Sequence, residues 1–407
     1  MKKTNRKTNR NMIVYRFVRF LSQIVSKLIF KRKILHNEIR GKKGPYVVIA
    51  THQASLDFVN LIGMTRTPLN FVISQSFYQS SPVKWFMTKI GVIPKQQFQT
   101  TLKDMRAMKS VIDDGEALVI YPAGLMCEDG LSTPIPVATY QFLKWLRADV
   151  YVARVSGSYF VMPKWTRGMR SGRTYMDVYK LFSAEELAET DVEMIKQKTD
   201  EALLFDAYRE QEKLLVKYQK NDQIEGLQHV LYMCPHCKRE FTMQVKDQSV
   251  IYCTECGFEQ MSDEYGFLHH NGEVGEEIRY VSDWSRMIYD AQKQRIESGE
   301  ETELSAKTQI LVVDPKRHKF VHAGEGRLTL TPDHMLLVGE VGGEALDVSV
   351  STSTFASLPF SPGRYLELQH GDNIYRCMLE DGKLAMKFIN MIKAYYELHV
   401  MSCEHAK

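Results

Sequence analysis

An alternation of short apolar segments and amphipathic segments over residues 44–180 most constrains the fold. Five apolar segments are predicted to be strands and four intervening segments to be helices, which is typical of an α/β sheet. A charged helical stretch at 184–219 is expected to close this domain, assigned to residues 44–220. The predicted strands are Tyr46–Ala50, Asn70–Ile73, Ala117–Tyr121, Val150–Val155 and Tyr175–Tyr179, and the predicted helices are Phe58–Met64, Ser76–Ile90, Thr101–Asp113 and Val137–Ala148.

The first predicted strand leads directly into a polar cluster that contains His52 and Asp57. Ligands bind at the carboxyl ends of strands in open α/β folds, and a carboxylate that holds one imidazole nitrogen makes histidine an oriented general base. The two side chains can meet if His52 lies in the loop and Asp57 in the first helical turn, with Ser55 as the N-cap. The alternative interpretation is a loop histidine beside an aspartate that only caps a helix.

Two pairs of cysteines with CxxC spacing define a second unit, expected at residues 230–260. Fifteen residues separate the pairs, a spacing typical of a zinc ribbon in which four thiolates hold one ion. Four protein ligands leave no open coordination position, so the predicted zinc is structural. Acidic side chains dilute the basic ones around the cysteines, so nucleic acid is not an expected partner. The predicted ligands are Cys234, Cys237, Cys253 and Cys256.

The basic residues concentrate in residues 1–43, which contain 14 Lys/Arg and a single acidic residue in a chain of net charge +4. Within this segment Met12–Phe30 has apolar residues at helical spacing, interrupted by arginine and lysine. This pattern predicts an amphipathic helix in a membrane interface, and the alternative is a helix packed on the protein body. No signal peptide or spanning segment is evident, so we expect a peripheral protein at the cytoplasmic face of the membrane.

The C-terminal part divides into a polar linker at residues 261–307, with a helical island at Asp283–Arg295, and a strand-rich domain at 308–403. Short predicted strands recur through this last domain, and an amphipathic helix at Leu384–Leu398 closes it. The pattern resembles the pleckstrin-homology (PH) or GRAM-like fold. Since such folds bind both lipids and proteins, no ligand follows from the resemblance.

Three landmarks follow the His52/Asp57 pair in order: Ile90-Gly-Val-Ile-Pro94, Gly115-Glu-Ala-Leu-Val-Ile-Tyr-Pro-Ala-Gly124 and Val150-Tyr-Val-Ala-Arg-Val155. With the pair, they make residues 44–180 resemble the glycerolipid acyltransferase family, which includes the 1-acylglycerol-3-phosphate acyltransferases. The resemblance implies an acyltransferase-type mixed sheet with flanking helices. It also implies that His52 and Asp57 form the catalytic dyad.

The sequence departs from the family where the acceptor phosphate binds. The family arginine after Gly-x-Ile-Pro is Gln97 here, and the glutamate and arginine of the Phe-Pro-Glu-Gly-Thr-Arg loop are Ala123 and Leu125. Lysine is a poorer bidentate partner for phosphate than arginine. The resemblance therefore implies an altered acceptor pocket, with substrate-binding residues predicted at Lys95, Gly124 and Arg154.

The implied activity is transfer of a fatty acyl group from acyl-CoA or acyl-carrier protein to the hydroxyl of a lysophospholipid, a 1-acylglycerol-3-phosphate or a related glycerolipid. No catalytic cofactor and no covalent enzyme intermediate are implied. The expected partners are membrane lipids, the lysophospholipid and the acyl carrier. The alternative is a catalytically weakened acyltransferase fold that acts as a lipid-binding or scaffolding module.

Overall fold

The computed structural model describes residues 10–97, 101–218 and 224–405. The chain forms two compact units, the first from residues 1–163 and 168–220 and the second from residues 164–167 and 221–407. The first nine residues of the predicted basic segment lie outside the described part. No helix in the described residues combines the length and apolar character needed to cross a bilayer.

A seven-stranded sheet forms the centre of the first unit. Its order is β1-β7-β6-β2-β5-β3-β4, with β2 to β6 mutually parallel and β7 antiparallel to β6. Strand β1 pairs in parallel with β7, so two strands at one side of the sheet run opposite to the other five. The strands are β1 (Lys33–Asn37), β2 (Tyr46–Ala50), β3 (Leu69–Ser74), β4 (Ile93–Lys95), β5 (Ala117–Ile120), β6 (Asp149–Ser156) and β7 (Tyr175–Phe182).

Helices cover both faces of this sheet. Along β2, Val47 and Ile49 pack with α5, α6 and α9 on one face, while Tyr46 and Val48 pack with α1 and α2 on the other. This alternation follows from the two-residue period of a strand. The helices are α1 (Met12–Leu28), α2 (Asp57–Ile62), α3 (Gln75–Gln79), α4 (Lys84–Ile90), α5 (Leu102–Asp113), α6 (Ala138–Leu146), α7 (Ser158–Val161), α8 (Ala184–Glu189), α9 (Val192–Leu203) and α10 (Ala207–Leu214).

Helix α1 buries its polar side and exposes its apolar side. Tyr15, Ser22 and Ser26 face the protein body, and the Ser26 hydroxyl donates to the Val59 carbonyl at 3.3 Å. Ile24 lies nine positions from Tyr15, about 180° around the helix. The helix therefore packs on the body through one side only, as the alternative interpretation expects, and contact of its exposed side with a membrane stays a prediction. The exposed apolar residues of α1 are Met12, Ile13, Phe17, Phe20, Leu21, Ile24 and Leu28.

The second unit begins with a four-stranded antiparallel sheet of order β11-β10-β9-β8, followed by helix α11. Helix α11 confirms the predicted helical island and is longer than expected. Strand β11 and the end of β10 fall within the predicted linker, which therefore extends the cysteine-bearing sheet. The elements are β8 (Met243–Lys246), β9 (Val250–Cys253), β10 (Glu259–Ser262), β11 (Leu268–His270) and α11 (Val281–Glu297).

A seven-stranded antiparallel sheet of order β15-β14-β13-β12-β18-β17-β16 follows, and the long helix α12 comes after its last strand. Strand β12 pairs with both β13 and β18. The first and last strands of this sheet in chain order are therefore neighbours. The elements are β12 (Leu304–Asp314), β13 (Lys319–Leu330), β14 (His334–Val341), β15 (Glu344–Ser351), β16 (Phe360–Ser361), β17 (Tyr365–His370), β18 (Asn373–Leu379) and α12 (Leu384–His405).

Some local predictions for the first unit were wrong. The helix expected at Ser76–Ile90 is two helices, α3 and α4, because Pro82 interrupts the pattern. Strands β1 and β4 were not predicted. Four of the five residues in β1 are exposed, so this edge strand lacks the apolar signal of a buried one.

Candidate active site

His52 and Asp57 meet at the carboxyl end of β2. The His52 Nδ1 atom lies 3.2 Å from Asp57 Oδ2, and the Asp57 side chain is fully buried. The same oxygen accepts the backbone N–H groups of Gln53 at 2.7 Å and Ala54 at 2.9 Å. Three hydrogen bonds thus hold Asp57 Oδ2 in a water-poor site, and the loop folds around the carboxylate.

This arrangement fixes which nitrogen of His52 is available for chemistry. Because an ionised carboxylate can only accept, Nδ1–H donates to Asp57, and neutral His52 keeps its lone pair on Nε2. The His52 side chain is one-fifth exposed, so Nε2 is accessible while Asp57 is shielded. The pair has the geometry of an oriented general base.

The expected N-cap at Ser55 was wrong. Helix α2 begins at Asp57, its N-cap is Leu56, and no side chain caps it. The Ser55 hydroxyl instead lies 3.1 Å from the Met162 sulfur. Asp57 takes the two loop amides itself, so the loop turns without help from Ser55.

Two further loops approach each other near this end of the sheet. The Gly124 N–H donates to the Tyr121 carbonyl at 2.9 Å in a turn that needs the positive φ of +69° at Gly124. The Gly124 carbonyl accepts from the Gln97 side-chain amide at 2.8 Å. Gln97, which replaces the expected arginine, therefore links the loop after β4 to the loop after β5.

Two of the predicted substrate-binding residues lie at these linked segments, Lys95 as the last residue of β4 and Gly124 on the loop after β5. The Lys95 ammonium donates to the Gln96 carbonyl at 3.1 Å, and burial lowers the pKa of Lys95. The Leu125 side chain is buried beside Gly124. Among residues 95–97 and 121–129, Lys95 is the cation and Glu128 and Asp129 are the acids.

Arg154, the third predicted substrate-binding residue, binds elsewhere in the first unit. Its guanidinium donates to the carbonyls of Ala202 at 3.1 Å and Leu204 at 3.0 Å, and pairs with Glu210 at 3.0 Å. Val152 of the same strand faces the α9 side of the sheet, and the two-residue period places Arg154 there too. The substrate role of Arg154 stays a prediction. Its observed contacts are with the C-terminal end of α9.

One contact of His52 was not predicted. The Tyr121 ring packs on the imidazole with ring centroids 4.3 Å apart and an interplanar angle of 30°. Tyr121 was assigned to the preceding strand, which ends at Ile120. Its position directly after a buried strand next to β2 is the signal that could have placed it at the site.

The four predicted metal ligands form one cluster in the second unit. The sulfur atoms of Cys234, Cys237, Cys253 and Cys256 all lie within 4.8 Å of one another. Cys234 Sγ is 3.6 Å from Cys256 Sγ, and Cys237 Sγ is 3.8 Å from Cys253 Sγ. Such a cluster can hold a metal ion.

Residues 31–159 match the family model described as Acyltransferase, and this part of the chain belongs to that family. Among solved structures, a 1-acyl-sn-glycerophosphate (LPA) acyltransferase, PlsC, from Thermotoga maritima is 14% identical, covers 51% of this chain and 83% of its own, and gives a TM-score of 0.42. A Ran binding domain of the nuclear complex component Nup2 from Ashbya gossypii is 14% identical, covers 24% of this chain and 97% of its own, and gives a TM-score of 0.20. These scores are too low to support an argument. Curated proteins gave no significant match.

Proposed function

We propose that this protein transfers a fatty acyl group from an acyl thioester, on CoA or acyl-carrier protein, to the hydroxyl of a lysophospholipid or related glycerolipid. The observation that carries the proposal is the His52–Asp57 pair, oriented with Nε2 accessible, in a domain of the acyltransferase family. A structural module without activity would not need a buried carboxylate to orient a partly exposed imidazole.

In the proposed mechanism, His52 Nε2 takes the proton of the acceptor hydroxyl while the oxygen attacks the thioester carbonyl. Asp57 stabilises the imidazolium that forms. The tetrahedral intermediate then collapses, the carbon–sulfur bond breaks, and the protonated His52 returns its proton to the leaving thiolate. The products are an ester and a free thiol, and no residue of the protein is acylated.

The assay should follow release of free thiol by purified full-length protein with an acyl-CoA and a lysophospholipid in mixed micelles. We expect His52→Ala to lower kcat by about 10²–10⁴-fold, the usual contribution of general base catalysis. His36→Ala is the matched control, because His36 is an exposed histidine on β1 in the same unit. Thiol release by His52→Ala equal to that of the wild-type protein would instead support the scaffolding alternative.

We infer that the four-cysteine cluster binds a structural zinc ion. Zn–S bonds of about 2.3 Å in a tetrahedron place neighbouring sulfur atoms roughly 3.8 Å apart. Two of the sulfur pairs, at 3.6 and 3.8 Å, fit this geometry. Metal analysis of the purified protein should find about one zinc per chain, and a zinc-free folded protein would contradict the assignment.

We also propose that the exposed apolar side of α1 contacts the cytoplasmic membrane surface. Its apolar residues are flanked by Arg16 and Lys27, which suits anionic headgroups.

For the C-terminal sheet and its closing helix, the antiparallel order with β12 beside β18 supports the PH or GRAM-like assignment. Its ligand class does not follow from the fold.

A further inference from the structure

His52 needs a second contact to hold its ring plane. The hydrogen bond to Asp57 fixes the position of Nδ1 but leaves the ring free to rotate about this contact. The χ2 torsion of histidine is broad, so the side chain itself does not set the plane. A general base must place Nε2 within hydrogen-bond reach of the acceptor hydroxyl, and a displacement of about 1 Å can cost about 10²-fold in rate.

The Tyr121 ring provides this contact. It covers one face of the imidazole at a centroid distance of 4.3 Å, with the planes tilted by 30°. We infer that Tyr121 is a positioning residue for His52, and that its aromatic ring holds the imidazole in the plane in which Nε2 meets the acceptor hydroxyl. The effect of this contact on catalysis rests on the proposed acyl transfer.

The fold delivers Tyr121 to His52 through strand pairing. Strands β2 and β5 are parallel neighbours with Ile49 opposite Ile120, so the residues that follow both strands emerge side by side. Pro122 restricts the backbone of Tyr121 to extended conformations. The turn that the Gly124 N–H closes on the Tyr121 carbonyl then holds this residue from the other side.

The ring, and not the hydroxyl, makes the contact with His52. The Tyr121 hydroxyl is buried and has no hydrogen-bond partner among the described residues. Burial and, to a smaller extent, the negative charge of Asp57 raise the pKa of Tyr121 well above its usual value. The phenol therefore stays neutral, and a phenylalanine at this position would present the same face to the imidazole.

Two substitutions separate the ring from the hydroxyl. Tyr121→Phe keeps the ring, and we expect its kcat and KM to stay within about twofold of wild type. Tyr121→Met keeps apolar volume but removes the ring. We expect its kcat to fall at least about tenfold with KM changed less than about twofold, because substrate contacts remain while the base is misplaced.

Nuclear magnetic resonance of ring-labelled histidine gives a readout independent of activity. His52 ring signals, assigned with His52→Ala, should be shifted by the Tyr121 ring in the wild-type protein and in Tyr121→Phe, and should move in Tyr121→Met. We also expect through-space magnetisation transfer between the Tyr121 and His52 rings of the wild-type protein, a measurement that requires no variant.

Absence of that transfer, or a wild-type kcat for folded Tyr121→Met, would overturn the inference. Absence of acyl transfer by the wild-type protein would instead contradict the proposed function, while the ring signals would still test the contact.

Discussion

The Glu240 carboxylate accepts a 2.7 Å hydrogen bond from the ammonium of Lys387 on α12. Glu240 follows the first cysteine pair by three residues, and its other oxygen accepts from Arg295 of α11. Lys387 is almost fully buried and also contacts Glu301 at 2.5 Å. The segment after the first cysteine pair and the last two helices therefore share one largely buried network of charges.

We predict that Glu240→Gln lowers the free energy of unfolding of the second unit by about 3 kcal/mol, because it leaves the nearly buried Lys387 and the partly buried Arg295 with less compensating charge. Chemical denaturation measures the free energy of unfolding, and hydrogen exchange of the α12 amides reports the stability of the second unit. Arg239→Gln is the matched control, since its ion pair with Glu255 is exposed and contributes less than about 1 kcal/mol. Equal effects of the two substitutions would contradict a special role for the buried network.

Metal removal should act through the same network. The Cys234 N–H donates to the Arg239 carbonyl at 3.0 Å, so the cysteine hairpin positions Glu240. We predict that a chelator increases hydrogen exchange in α11 and α12 and leaves β2 and β5 of the first unit unchanged. Unchanged exchange in α12 after loss of the metal would show that the hairpin holds its shape alone.

Asp57 should contribute to folding as well as to catalysis. Asp57→Ala removes the acceptor of two buried backbone N–H groups in the loop. We therefore expect the free energy of unfolding to fall by about 2 kcal/mol. Asp57→Asn keeps one oxygen for those amides and should fold more stably, yet lose kcat because the amide no longer orients His52 as a base. Thermal unfolding and thiol release measured on both variants separate the two effects. Wild-type kcat in Asp57→Asn would rule out the dyad.

The exposed side of α1 should control membrane binding. We expect Phe17→Ser combined with Phe20→Ser and Ile24→Ser to weaken binding to anionic vesicles at least about tenfold, because each side chain loses up to about 2 kcal/mol of apolar burial. Substitution is preferable to deletion, since Tyr15 of the same helix is part of the core.

The matched control carries serine at three exposed apolar positions of the first unit outside α1. Binding is measured as the fraction of protein that co-sediments with vesicles. If this fraction is the same for the two triple variants, α1 has no special role in binding. The control positions are Val137, Trp145 and Leu204.

Acceptor preference should depend on Gln97. We predict that Gln97→Arg raises kcat/KM for a lyso-acceptor with a terminal phosphate about tenfold relative to one without it, since guanidinium binds phosphate bidentately. Gln97→Lys is the control for charge alone and should have a smaller effect. An unchanged ratio in Gln97→Arg would place the headgroup away from the loops after β4 and β5.

The sequence predicted the parts of the site that depend on strand ends. Tyr46–Ala50 is a strand with the predicted bounds, and His52 and Asp57 meet as the spacing required. It did not predict contacts between side chains that are distant in sequence, such as Tyr121 on His52 or Gln97 on Gly124. Periodicity reports which face of an element is apolar, whereas such contacts depend on the order of strands in the sheet.

The contacts of Arg154 are another feature that the sequence does not predict. Arg154 is a cation within the predicted strand Val150–Val155. Helix α9 ends with carbonyl groups that need donors, and Arg154 supplies two of them. A sequence does not reveal which helix end lies beside a given strand.

Helix α1 packs on the protein through one side only, and the proposed membrane contact of its exposed apolar side has a kinetic consequence. An enzyme that meets its acceptor only on a lipid surface responds to the fraction of that surface occupied by acceptor, not to the amount in the bulk solution. Adding inert phospholipid or detergent at constant acceptor should then slow turnover by surface dilution. Under the proposed function, the rate should therefore follow the mole fraction of acceptor in the interface.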